Sequence, residues 1–138
     1  MGDHAVVSDH DGWTLRWGDH DRVVAVPDRD TLKRRLAEAS EDARSNYWMA
    51  ELVSPSGASC AVGLGRTRSV LTFMESIDPP YWTSQGSPGD SGTIVFFYDG
   101  HWTEFSNAST LSTERAIEAL EEFFLTGERP GAVHWVQS

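Results

Sequence analysis

The sequence is poor in cysteine and lysine, with one residue of each, Cys60 and Lys33, among 138. A single cysteine excludes a disulfide bond within the chain. Cys60 lies in a run of small residues, 58–62, where we expect a buried and inert thiol, because a reactive thiol needs an electropositive setting. The sequence therefore predicts no catalytic cysteine.

Long apolar runs are also absent, since no stretch reaches the roughly 18 residues that a membrane span requires. The amino terminus has neither the basic start nor the apolar stretch of a signal peptide. We therefore expect a cytoplasmic protein that does not contact the membrane. With 138 residues, of which 39% are hydrophobic, the chain has the size of a single domain over residues 1–138 with one core.

Positive charge is scarce, because 11 basic residues stand against 21 acidic ones and give a formal net charge of −10. Binding to phosphate backbones depends on clustered Lys and Arg, so no direct nucleic-acid partner is expected. A protein with a basic surface is the favoured partner. The imbalance is greatest in residues 69–114, which contain no Lys or Arg, six carboxylates and eight of the fifteen aromatic residues.

Hydrophobic periodicity predicts an α+β fold, a largely antiparallel β-sheet of about six or seven strands with two α-helices packed on it. Helices are predicted from Asp28 to Ala43 and from Ser112 or Thr113 to Leu125. Strands are predicted at residues 13–17, 22–26, 47–54, 58–65, 69–75, 93–98, 101–105 and 133–136.

Turn signals refine this prediction. Asp99-Gly100 favours a tight hairpin, and we expect at least one face of that hairpin to be buried against a helix. Gly127 is expected to end the second helix in a left-handed conformation, with Trp135 mostly buried beneath it. Prolines and glycines in residues 76–92 predict a long irregular loop without an element of its own.

Several motifs are typical of chemistry that the rest of the chain does not support. Gly89-Asp90-Ser91-Gly92 occurs around the nucleophile of trypsin-like serine proteases, but their double β-barrel needs a longer chain, so we interpret the motif as a turn. Gly63-Leu64-Gly65-Arg66 opens no helix and is interpreted as a strand end and turn, not a phosphate loop. Glu121 and Glu122 are adjacent on a helix, so their carboxylates should point to different sides and should not form a shared site.

Two short clusters, Asp9-His10-Asp11 and Asp19-His20-Asp21, combine imidazole with carboxylates. Neither has two imidazoles at helical or hairpin spacing, and aspartates in turns cap their own backbone. We therefore predict no metal site, no cofactor and no catalytic residue.

The acidic, aromatic stretch is the predicted binding region. Tyr81 and Trp82 follow Pro79-Pro80 in the predicted loop, where aromatics among carboxylates suit a protein-binding hot spot for a basic partner. The alternative is that both rings fold back as a lid over the core. The predicted partner-binding residues are Glu75, Asp78, Tyr81, Trp82, Asp90, Trp102 and Glu104.

The order of motifs resembles the Imm1 family. The similar stretches are residues 61–65 with 69–73, Glu104-Phe105, residues 116–130 and Val133-His134-Trp135; relatives commonly have Pro where this chain has Ser106. Imm1 proteins are encoded beside polymorphic toxins of bacterial competition systems. The resemblance implies an immunity protein that binds and occludes a cognate secreted toxin domain, frequently a nucleic-acid deaminase, and that has no catalysis of its own.

Two other functional classes stay open from the residues alone. One is a small enzyme or ligand-binding domain with loop 76–92 as a pocket wall and His101 as base. The other is a structural subunit of a larger assembly, which a large exposed apolar patch would favour.

Overall fold

The computed structural model describes residues 12–18 and 22–137, and two α-helices and eleven strands lie in these ranges. In chain order they are β1 Thr14–Trp17, β2 Arg22–Ala25, α1 Arg29–Asp42, β3 Met49–Val53, β4 Ser59–Gly63, β5 Arg68–Ser69, β6 Leu71–Met74, β7 Tyr81–Ser84, β8 Thr93–Tyr98, β9 His101–Ser106, β10 Leu111–Ser112, α2 Thr113–Thr126 and β11 Trp135–Gln137.

Seven strands form the main sheet, in the order β11-β7-β6-β4-β3-β1-β2, and every neighbouring pair is antiparallel. The predicted meander β3-β4-β6 lies at its centre. Two further pairs, β5–β10 and β8–β9, lie outside this sheet. The predicted fold class, an antiparallel sheet with two helices, is confirmed.

The helix ends follow the sequence signals. Asp28 caps α1, its carboxylate accepting a hydrogen bond from the Thr31 amide at 2.7 Å, and this bond holds the pKa of the carboxyl below its ordinary value. Ser112 caps α2 by accepting from the Arg115 amide. Gly127 ends α2 with a φ of 74°, as predicted.

The helices pack on one face of the main sheet, which we call the helix side. Alternation along β4 sends Cys60 and Val62 to this side, where both are fully buried in the large core cluster. Trp13 contacts the rings of Phe123 and Phe124 of α2, each with centroids 5.1 Å apart. The prediction of a buried Cys60 is confirmed, and burial raises the pKa of its thiol.

The hairpin β8–β9 covers part of the opposite face, which we call the hairpin side. Phe96 is fully buried there against Met49, Ala61 and Val70. Its ring lies directly over Gly63, where the absence of a side chain leaves room for it. The expectation that this hairpin packs against a helix is wrong, because the helix side of the sheet is already occupied by α1 and α2.

A buried polar network also joins the hairpin to the sheet. Glu51 of β3 is 5% exposed and accepts a hydrogen bond from Arg16 Nε at 2.8 Å and from the Tyr98 hydroxyl at 2.8 Å. Burial, reinforced by the adjacent carboxylate, raises the pKa of Tyr98. Because both partners satisfy the buried Glu51, the network fixes where the hairpin lies on the sheet.

The prediction of an irregular segment over residues 76–92 is wrong for residues 81–84. These residues form β7, which pairs with β6 on one side and β11 on the other. Tyr81, Trp82 and Thr83 are strand-forming residues, but the prolines and glycines on both sides obscured the pattern. Two neighbouring strands supply the hydrogen bonds that the local sequence did not reveal.

The end of the chain differs in detail from the prediction. The last strand covers Trp135–Gln137, and Trp135 is only partly buried, not mostly buried as expected. Its ring lies 6.2 Å from that of Phe73, and its Nε1 donates to the Pro130 carbonyl at 2.8 Å. No helix in the described ranges is both long and apolar enough to cross a membrane.

Candidate protein-binding surface

The seven predicted binding residues do not form one cluster. Tyr81 and Trp82 are consecutive in β7, so their side chains leave the sheet on opposite sides. Trp82 pairs in register with Phe73, which packs against Phe123 of α2, and Trp82 therefore lies on the helix side. Trp102 is in the hairpin, on the other side of the sheet.

Trp82 and Glu75 line a cleft of about 650 Å³ near the carboxyl end of α2. Trp82 is partly buried against the core, and the Arg129 guanidinium lies 4.0 Å from its ring centroid. The ring is thus covered on two sides, close to the lid-like alternative that the sequence left open. A basic side chain from outside the basic-free stretch already occupies the position over this ring.

Asp78, Tyr81 and Asp90 lie in or next to connecting segments. The Asp78 amide donates to the Ser76 hydroxyl, and the Tyr81 hydroxyl donates to the backbone carbonyl of Ile77. The side chain of Ile77 is exposed. The Asp90 amide donates to the Ser87 carbonyl.

The protease-like tetrapeptide belongs to the same segment as Asp90. Gly89 and Gly92 have φ values of 93° and 87°, and the Ser91 carbonyl accepts a hydrogen bond from Asn107 Nδ2. The motif therefore adopts turn conformations, as interpreted from the sequence.

Trp102 and Glu104 do lie together, on the face of the hairpin that points away from the main sheet. Cross-strand register puts six side chains on this outer hairpin face: Thr93, Val95, Phe97, Trp102, Glu104 and Ser106. Trp102 is 60% exposed, and its ring meets that of Phe97 edge to face, with centroids 5.5 Å apart. The outer hairpin face thus presents an apolar centre to solvent.

The charged side chain on the outer hairpin face, Glu104, is negative. Glu104 is exposed, and its carboxylate accepts a hydrogen bond from the Thr93 hydroxyl at 3.2 Å. Asp99, at the hairpin turn, lies 3.4 Å from Arg16, measured between side-chain oxygen and nitrogen. No Lys or Arg is among the six residues of the outer hairpin face.

A groove of about 380 Å³ runs beside β9, between the hairpin and the strands β7 and β11. Its lining residues include Thr83, Val136, Phe105 and Glu104, and Glu104 is the only charged residue among them. Val136 is 46% exposed and gives the groove an apolar wall. Val95, Phe97 and this groove were not among the predicted binding features. The Asp-Gly turn was the signal that could have identified Phe97, because it fixes the hairpin register and so places Phe97 beside Trp102.

The candidate catalytic side chains do not form one site, because His101 lies on β9 and Glu121 and Glu122 lie on α2. His101 is exposed next to the hairpin turn and does not line the 650 Å³ cleft that contains Trp82. Glu121 pairs with Arg29 at 3.1 Å, whereas Glu122 accepts from the Gly131 amide, so these carboxylates point apart as predicted.

Potential metal ligands do not cluster in the described part of the chain. In residues 12–18 and 22–137 there is no group of three or more His, Cys, Asp or Glu side chains that could hold a metal ion. The clusters Asp9-His10-Asp11 and Asp19-His20-Asp21 lie outside the described residues.

Comparison with models of known protein families gives a match that covers most of the chain. No curated protein matches the chain. The family model described as Immunity protein Imm1 matches residues 20–137, which include both helices and all strands except β1. Because the match covers nearly the whole chain, this protein belongs to the Imm1 family of immunity proteins.

Proposed function

We propose that this immunity protein binds a cognate secreted bacterial toxin domain through the outer hairpin face and occludes the toxin's active site. The observation that carries the proposal is Trp102, a large aromatic side chain that is 60% exposed beside Phe97 and an acidic residue. Exposed tryptophans that become buried on binding are frequent hot spots of protein interfaces. The exposure of Trp102 supports it as the anchor in place of Trp82, which Arg129 covers.

Charge supports a basic toxin surface as the partner. The chain carries a net charge of −10, and Glu104 lies on the outer hairpin face beside the proposed anchor. A toxin that acts on nucleic acid has a basic substrate surface, and an acidic inhibitor is steered to such a surface at an increased association rate. A nucleic-acid deaminase, the toxin class that the family resemblance implies, fits this description. The inhibitor acts in the cytoplasm as one binding domain without catalysis.

The test is to measure association and dissociation rates of single variants with the cognate toxin domain. Trp102→Ala should cost about 2 kcal/mol, seen as roughly thirtyfold faster dissociation. Leu125→Ala is the matched control, because Leu125 is 54% exposed but lies on α2, on the helix side. Its kinetics should not change.

Glu104→Lys tests the electrostatic part of the proposal. It should slow association, and the loss should shrink as salt rises, since charges are screened beyond about 10 Å at 0.1 M salt. Wild-type kinetics for both Trp102→Ala and Glu104→Lys would remove the outer hairpin face from the interface. A loss of binding in Trp82→Ala with unchanged folding would then place the interface at the cleft on the helix side.

A further inference from the structure

Strand β9 has one unpaired edge. It pairs with β8 on one side, and among the described residues no strand pairs with its other side. Proteins usually protect such an edge by Lys, Pro, a bulge or a very short strand. β9 has six residues, contains neither Lys nor Pro, and keeps an uninterrupted register with β8. The edges of the main sheet, β2 and β11, are shorter, with four and three residues.

The turn geometry identifies the backbone groups that face the free edge. Asp99 and Gly100 have φ values of 51° and 82°, as in a two-residue type I′ turn, so the flanking Tyr98 and His101 exchange hydrogen bonds. Bonded and non-bonded pairs alternate along the hairpin. The N–H and C=O groups of Trp102 and Glu104 therefore point away from β8, towards solvent.

Space for another strand exists beside this edge. The groove of about 380 Å³ begins at Glu104, Phe105 and Ser106 and extends to Thr83 and Val136 of the main sheet. Side chains of an added strand would alternate between this groove and the outer hairpin face. Val136, which is 46% exposed, offers an apolar contact on the groove side, and Trp102 offers one on the outer face.

We infer that an extended segment of the cognate toxin pairs with β9 as a third strand of the hairpin; this rests on the proposed function. Backbone hydrogen bonds to Trp102 and Glu104 give affinity, and side chains next to the strand give specificity. The segment carries a basic side chain near Glu104, because Glu104 is the only charged residue in the groove and on the outer hairpin face. A second copy of this chain fits the edge poorly, since its charge of −10 repels another copy.

Hydrogen exchange of single amides, measured by NMR on the full chain alone and in complex with catalytically inactive toxin, tests this pairing. In the free protein, the Trp102 and Glu104 amides should exchange fast, and those of Thr103 and Phe105 slowly. Toxin binding should slow exchange at Trp102 and Glu104 by at least a hundredfold. Unchanged exchange at both amides in a complex that still inhibits the toxin would overturn the strand pairing but not the proposed function.

Two substitutions at residue 104 separate the contribution of the backbone N–H to toxin binding from that of the side chain. Glu104→Ala removes the charge and keeps the N–H, whereas Glu104→Pro also removes the N–H, which makes no bond to β8. Glu104→Pro should bind the toxin about tenfold more weakly than Glu104→Ala, at equal thermal stability. Equal affinity of the two folded variants would contradict the inference. Should Glu104→Pro fail to fold, amide exchange on the unmodified chain decides.

The same measurements distinguish the other outcomes. Slow exchange of the Trp102 and Glu104 amides in the toxin-free protein, reversed by dilution, would show that a second copy occupies the edge and would overturn the inference. A toxin domain that does not bind the chain at all would instead refute the proposed function.

Discussion

Gly63→Ala tests whether the contact between Phe96 and β4 positions the hairpin. A Cβ at residue 63 would lie 2.6 Å from Cζ of Phe96, 2.7 Å from Cε1 and 2.9 Å from Cε2. These separations are far below van der Waals contact, and Phe96 is fully buried, so its ring cannot move into solvent without exposing apolar surface. The hairpin must therefore shift or the ring must adopt a strained rotamer.

The expected magnitude follows from two opposing effects. Overpacking of a buried site costs about 1 to 3 kcal/mol. Replacing Gly by Ala restricts the unfolded chain and returns about 0.4 to 1 kcal/mol. Gly63→Ala should therefore lower the free energy of unfolding by about 1 to 2 kcal/mol. Gly131→Ala is the matched control, because the nearest atom to an added Cβ there is Glu122 Oε2 at 3.9 Å, and its stability should stay equal or rise slightly.

Urea unfolding of Gly63→Ala, Phe96→Leu and the double variant measures the coupling. Leu is smaller than Phe, so the double variant should lose at least about 1 kcal/mol less than the sum of the two single losses. Additive losses, or a Gly63→Ala variant as stable as the wild type, would refute the contact as the device that positions the hairpin. A shifted hairpin should also weaken toxin binding, since Trp102 is carried by it.

Two further predictions concern pH and chelation. Because burial holds the pKa of Tyr98 above its ordinary value of 10.0, the unfolded chain loses this proton first and stability should fall as pH rises above about 10. Thermal unfolding of Tyr98→Phe between pH 9 and 11 should show a shallower fall, and parallel curves would contradict the assignment. Protection against the toxin should survive EDTA and the substitution Cys60→Ala, because Cys60 is fully buried and no metal is expected. Loss of protection after EDTA alone would assign metal ligation to Asp9-His10-Asp11 or Asp19-His20-Asp21.

Several elements of the fold follow from local chemistry and are readable in the sequence. Asp28 and Ser112 begin the helices because each can accept a hydrogen bond from a free amide of the first turn. Gly127 ends α2 because only glycine adopts the left-handed angle without a steric cost. Asp99-Gly100 fixes the β8–β9 hairpin because the turn needs a positive φ at both residues, which Gly adopts freely and Asp more readily than most side chains. Residues 20–137 also carried enough ordered motifs for the family to be identified.

Other features depend on contacts between residues far apart in the chain and follow only from the packing of the fold. β7 forms because β6 and β11 supply partners on both sides, which no local pattern in residues 76–92 reveals. Trp82 is covered by Arg129. The stretch 69–114 contains no basic residue, but the fold brings a basic side chain from outside the stretch next to it. The hairpin packs on the face opposite the helices, where Gly63 leaves room for the ring of Phe96. That placement, and not the sequence position of Trp102, leaves its indole ring exposed beside a free strand edge.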